Sequence, residues 1–293
     1  MNKPDHRDDS AGGGPRVSNL TLRIASAAVL APLVLACTYV GGWIFLVLCA
    51  VAAAGILWEW TSLVTRRADG RILVPGLAAL AAAMALIGLG LPAAALGIIA
   101  AGAAFAGLVV TAWPLGHATT NTAGWAGGGV FYAAAIMSGP ALLRRDPQWG
   151  LTALCFLFAT VWMTDIFAFF CGRALGGPPL WRSVSPNKTW SGAIGGLLGG
   201  VAAGVAVAYA SGIGRLGIIG VMALACSVLA QAGDLFESAV KRRFGAKDAS
   251  GLIPGHGGLM DRLDGFLVAA LAALLIGIIH SGTATPAHGL LVW

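Results

Sequence analysis

Asp234, Glu237, Ser238 and Lys241 stand at i, i+3, i+4 and i+7 in the run Gln231-Ala232-Gly233-Asp234-Leu235-Phe236-Glu237-Ser238-Ala239-Val240-Lys241-Arg242. On a helix that spacing puts all four on one face. The residues before them are apolar, so the face belongs where a helix leaves a membrane. A salt-bridged helix end, with Glu237 pairing to Lys241, is the plain structural reading; it leaves Asp234 unpaired at the bilayer edge. Lys247-Asp248 follows, then Pro254-Gly255-His256-Gly257-Gly258, then Asp261-Arg262-Leu263-Asp264. The glycines let backbone amides approach an anion. Asp261 and Asp264 lie one helical turn apart at the start of another apolar run. Carboxylates beside amides and Lys/Arg suit a divalent ion held between protein and phosphates, and Mg²⁺ is the oxygen-loving ion usually held this way. Without an ion, Asp234 and Asp261 would repel each other if they met. Whether a second cation joins the first is left open by these residues.

A third group precedes these. Asp165 sits near the end of an apolar run, and Arg173, Arg182, Ser185, Pro186, Asn187, Lys188 and Thr189 follow. Thr189 or a neighbour could cap the next helix, whose amino terminus would favour phosphate. Arg182 and Lys188 fit either phosphate binding or membrane topology. His256, between glycines, fits phosphate contact or loop positioning. Glu59, between Trp58 and Trp60, reads as an interfacial residue flanked by anchoring tryptophans.

The elements that carry these groups are membrane helices. The 293 residues are 58% hydrophobic and 10% charged, with mean hydropathy +0.83; a soluble domain carries about a quarter charged residues. A span needs about 20 apolar residues. Nine are expected, at 24–41, 43–64, 72–90, 92–113, 124–143, 149–172, 189–211, 215–237 and 263–281. The fold class is therefore all-α and polytopic. Residues 1–22 read as a disordered tail, 23–150 as amino-terminal spans and 151–293 as a catalytic region. Glycine repeats such as Gly192, Gly195, Gly196, Gly199 and Gly200 suit close helix packing in lipid; small-residue faces also permit a homodimer. The five cysteines lie in or beside apolar runs and read as small apolar residues.

The net charge of +6 raises nucleic-acid binding as a first thought. Topology explains it better, because the basic residues sit in short loops between spans, and no nucleic-acid partner is expected. With the amino terminus in the cytoplasm, only Arg144, Arg145 and Arg215 of the 18 Lys and Arg fall outside, as positive-inside orientation requires. Asp165, Asp234, Glu237, Asp261 and Asp264 then gather at the cytoplasmic ends of late spans. Polar groups there are costly and usually functional. Composition and spacing thus point to metal-assisted phosphate chemistry at the inner membrane surface. A transporter of anionic metabolites is the competing class, but it would place charges near mid-bilayer in related halves.

The run from Ser238 to Asp264 resembles the signature of phosphatidate cytidylyltransferases (CDP-diacylglycerol synthases). Gln231-Ala232-Gly233-Asp234-Leu235 and Ser185-Pro186-Asn187-Lys188-Thr189 are similar to further motifs of that family, in the expected order. These motifs lie in residues 160–266; the amino-terminal half matches mainly in its pattern of spans. Ser191 departs from the pattern, standing where the family has an acidic residue. The resemblance implies transfer of CMP from CTP to phosphatidic acid with release of pyrophosphate, in a bacterial inner membrane, with the site facing the cytoplasm. It implies Asp234 and Asp261 as Mg²⁺ ligands and Asp234, Lys241, Asp261 and Asp264 as catalytic residues. It implies Ser185, Lys188, Thr189, Ser238, Arg242, Lys247, His256, Gly257, Gly258 and Arg262 as substrate-binding residues.

Overall fold

The computed structural model of the chain describes residues 19–113, 121–253 and 257–293. Most of the expected tail lies outside these residues. The long helices are α1 (Asn19–Val40), α2 (Gly42–Thr65), α3 (Gly70–Gly88), α4 (Pro92–Ala112), α5 (Thr122–Arg144), α6 (Gly150–Leu175), α7 (Trp190–Ala210), α8 (Leu216–Arg243) and α9 (Met260–Ser281), and a short α10 (Pro286–Leu291) follows. Among the described residues, α2 to α9 are each long and apolar enough to cross a membrane, and Ala25–Val40 of α1 forms a shorter apolar helix. All nine match expected spans. Large apolar side chains such as Val29, Leu108, Leu198 and Ile279 are exposed on the outside of these helices, as a lipid solvent allows.

One feature was not expected. Between α6 and α7 the chain forms an antiparallel hairpin of β1 (Pro179–Trp181) and β2 (Ser185–Thr189). Helix α8 runs past the expected span end at 237 to Arg243, so the whole Asp234–Lys241 face is helical, as its spacing suggests.

Helices α6 and α7 pack closely along their length, and glycine is the reason. A Cβ on Gly192 would stand 2.7 Å from the Ala168 carbonyl oxygen, and one on Gly196 2.8 Å from that of Thr164. The α7 glycine stripe therefore serves packing inside the chain. Thr164 Oγ1 and Ser227 Oγ, buried 2.7 Å apart, join α6 to α8.

At the end of the bundle away from the hairpin, Arg144 donates to the carbonyls of Thr38 (2.7 Å) and Tyr39 (2.9 Å) in the last turn of α1. Arg145 donates to the Ile87 carbonyl (2.7 Å) in the last turn of α3. Unpaired carbonyls at helix C-termini carry partial negative charge, so these two arginines have a packing role on the side opposite most basic residues. Nearby, buried Asp146 accepts from the amides of Gln148, Trp149 and His288, each at 3.0 Å, capping α6 and tying α10 to it.

Gly196→Val should lower stability by about 2–3 kcal/mol, the range for forcing bulk into a packed contact. Gly217→Ala, with open space around its Cβ, should not lower it. Thermal unfolding of the detergent-solubilised protein checks both.

Candidate active site at the hairpin end of the bundle

The acidic and basic residues singled out in the sequence converge at the end of the bundle that bears the hairpin. Lys241, on the last two turns of α8, is buried between two carboxylates. Its Nζ lies 2.6 Å from Glu237 Oε2 and 2.5 Å from Asp261 Oδ1. The first pair is the i, i+4 contact that spacing allows; the second joins α8 to the first turn of α9. Asp261 also accepts from the amides of Gly258 (2.9 Å) and Ala249 (3.1 Å). Asp234 is not left unpaired: Lys188 of β2 forms an ion pair with it.

Glu237 is 1% exposed, and its contact with Lys241 lacks hydrogen-bond alignment. Among the described residues neither of its buried carboxylate oxygens makes an aligned hydrogen bond, although Oε2 keeps its ion pair with Lys241. Oxygens of Asp234, Glu237 and Asp264 all lie within 4.8 Å of one another. Three carboxylates this close repel unless a cation or proton intervenes. An all-oxygen set with unsatisfied buried acceptors fits a hard divalent ion. Asp264 Oδ1 accepts one further bond, from the Gly265 amide at 2.7 Å.

A cavity of about 1310 Å³ opens beside this cluster. One end is polar. Asp234, Asp261, Arg262 and Asp264 line it from α8 and α9, Asp165 from α6, and Ser185, Asn187, Lys188 and Thr189 from β2. The other end is apolar, walled by Leu30, Leu33 and Val34 of α1, Phe45 and Leu48 of α2, and Phe158 and Trp162 of α6. The amino-terminal helices thus also line this cavity.

The β2 segment is held in place from both sides. Thr189 caps α7 by accepting from the Gly192 amide (3.1 Å). Ser191 donates to the Gly176 carbonyl and lies 3.0 Å from Thr189 Oγ1, so it braces the α6–α7 junction. Arg242 reaches the carbonyls of Ala246 (3.3 Å) and Val184 (3.5 Å), linking the end of α8 to the hairpin turn.

Ser238, Lys241, Arg242 and Lys247 are not part of the cavity lining. His256 lies outside the described residues. Gly257, in a left-handed conformation at φ +87°, exchanges backbone hydrogen bonds with Ile253. The amides at the end of the glycine loop meet the protein's own anions rather than the expected phosphate: Gly258 donates to Asp261, and the next two amides donate to Glu59.

Glu59 corrects the sequence reading. It is not interfacial but 0% exposed, bonded to Ser250 Oγ (2.5 Å), Leu259 N (2.8 Å) and Met260 N (2.6 Å). The flanking tryptophans misled; a lone acid in an apolar span is the signal that pointed inward.

The cytidylyltransferase family profile matches residues 21–279. This chain belongs to the cytidylyltransferase family. It is 43% identical over 279 residues to a phosphatidate cytidylyltransferase of Brucella suis biovar 1 (strain 1330), covering 92% of this chain and 97% of that one. It is 44% identical over 274 residues to one of Brucella abortus biovar 1 (strain 9-941), covering 90% and 96%. With one of Bacillus subtilis (strain 168) it shares 38% identity over 126 residues, 43% of this chain and 47% of that one. Membership in the cytidylyltransferase family agrees with a metal-dependent reaction at the carboxylate cluster and with a membrane setting.

The two lysines should respond differently to removal. Lys241→Met strands two buried carboxylates and should cost about 3–5 kcal/mol. Lys188→Met breaks a pair whose side chains are 31% and 35% exposed, and solvent screening holds that loss to about 1 kcal/mol or less. Thermal unfolding in detergent at neutral pH, compared with wild type, measures both.

Proposed function

We propose that the chain transfers CMP from CTP to phosphatidic acid, giving CDP-diacylglycerol and pyrophosphate. The observation that carries this reading is the cavity's double character: a wall of apolar side chains ends at a cluster of carboxylates and cations. Phosphatidic acid has the same division, with acyl chains joined to a phosphate. The names of the full-length relatives support the choice of nucleotide and lipid.

The lipid enters sideways, its chains along α1, α2 and α6 and its phosphate at the polar end. The triphosphate lies across the hairpin and the start of α9, against Lys188, Arg262, Ser185 and Thr189. Asp234, with Glu237 and Asp264 beside it and Asp261 on the same wall, would hold Mg²⁺. Bound there, the ion neutralises charge on the triphosphate oxygens. A lipid phosphate oxygen bonds to the α-phosphorus of CTP. The bond from that phosphorus to the bridging oxygen breaks, and pyrophosphate carries the electron pair away. The attacking phosphate is already largely ionised near neutral pH, so no strong general base is required. Lys188 and Arg262 stabilise negative charge on the phosphoryl oxygens. Lys241, shut between Glu237 and Asp261, keeps α8 and α9 in register so that the two reactants meet in one orientation.

The same proposal puts the amino terminus and the site in the cytoplasm and the chain in a bacterial inner membrane. The gathering of basic residues on the site's side of the bundle supports this orientation.

Radiolabelled CTP and phosphatidic acid, incubated with purified protein, should yield labelled lipid only when Mg²⁺ is present. Asp234→Ala and Asp261→Ala should each lower the rate by about a hundredfold or more while membrane insertion is retained. Near-normal turnover in either variant would refute that residue's role.

A further inference from the structure

Helix α9 carries Asp261 and Asp264, yet it has no side-chain cap of its own: the residue before it is Leu259, which makes no capping bond. The free amides at its start are taken by a carboxylate from a distant helix. Glu59 of α2 accepts from Leu259 N at Oε1 and from Met260 N at Oε2, and Ser250 Oγ donates to Oε1. Burying a carboxylate is costly unless its hydrogen bonds are made, and here one charge meets three donors and the positive end of a helix dipole.

The fit between α2 and this corner is close. A Cβ on Gly55, one turn before Glu59, would stand 2.8 Å from Leu259 Cδ2. A Cβ on Gly258 would stand 2.9 Å from Glu59 Oε1 and 3.0 Å from Asp261 Oδ2. Glu59 and Asp261 thus flank Gly258 and divide the amides of 258, 259 and 260 between them. The division leaves Asp261 one orientation, in which its other contacts are Lys241 and Ala249. Asp264 follows one turn later, at the cavity.

We propose that Glu59 is a positioning residue for the site: it fixes the first turn of α9 and the segment at Ser250, and so sets where Asp261 and Asp264 stand relative to Asp234. This rests on the reaction proposed above for the value of that placement, but not for the placement itself. Glu59 touches neither reactant, so its loss should slow turnover without weakening substrate binding.

The test uses full-length protein in lipid nanodiscs with Glu59→Gln, which keeps shape and one acceptor but turns an amide donor toward backbone N–H groups. Ser250→Ala, which removes one donor and leaves the carboxylate, is the milder second variant. Hydrogen exchange should quicken by about tenfold for amides at 249–253 and 257–264 in Glu59→Gln, the scale of losing a helix cap, with α3–α4 protection unchanged. In the lipid-labelling assay kcat should fall by about tenfold or more with KM for CTP and phosphatidic acid within about twofold. Ser250→Ala should move both readouts in the same direction by less. Unchanged exchange at α9 in Glu59→Gln would overturn the proposal, as would protection lost throughout the bundle in both variants, or a rise in KM with kcat intact. If wild type makes no labelled lipid, the reaction reading fails, and the exchange result alone still decides whether Glu59 holds α9.

Discussion

A lysine cannot be left alone at the edge of a bilayer. Removing its ammonium from water costs several kcal/mol unless charge and hydrogen bonds are returned to it. Lys241 meets that constraint with one carboxylate from its own helix and one from α9. Because the second partner is on another helix, the pair fixes how α8 and α9 meet, and with them Asp234 and Asp264. The hairpin is tied to the same frame through Lys188 and Arg242. Helices α8 and α9 and the hairpin are therefore held together by charged side chains that find their partners within the protein.

The frame has a division of labour among its charges. Lys241, Glu59 and most of Asp261 are turned inward, toward the protein's own amides and ions. Asp234, Asp264, Lys188 and Arg262 remain at the cavity wall. The inward set costs desolvation and returns rigidity; the outward set is kept where phosphate and metal can reach it. Around Glu237 the carboxylates outnumber the cations: among the described residues Lys241 and Lys188 face Asp234, Glu237, Asp261 and Asp264, a surplus of negative charge that a cation from outside would balance.

The spans were legible because lipid leaves a backbone few choices: a run of 20 apolar residues must satisfy its own hydrogen bonds and so becomes a helix. All nine long helices appear in the expected places. The end of α8 was cut short because Ser238, Lys241 and Arg242 break the hydropathy signal while leaving the helix intact. The hairpin was missed because Pro186, Asn187 and Lys188 are poor strand formers with no alternation to read. At the site, the i, i+4 contact between Glu237 and Lys241 could be read from spacing. Pairings between segments could not: Asp234 with Lys188, Lys241 with Asp261, and Glu59 with amides some two hundred positions away depend on packing. The glycine loop was read as a cradle for substrate phosphate, and spacing alone could not show that its described amides meet the protein's own carboxylates instead.

At the far end of the bundle, Arg144 and Arg145 take their partners from the finished ends of α1 and α3. Those carbonyls are placed as acceptors only after both helices have formed. During synthesis the two guanidinium groups thus emerge with nothing to bind unless the earlier helices are already across. The seating of the α5 end is in this way conditional on the finished ends of α1 and α3.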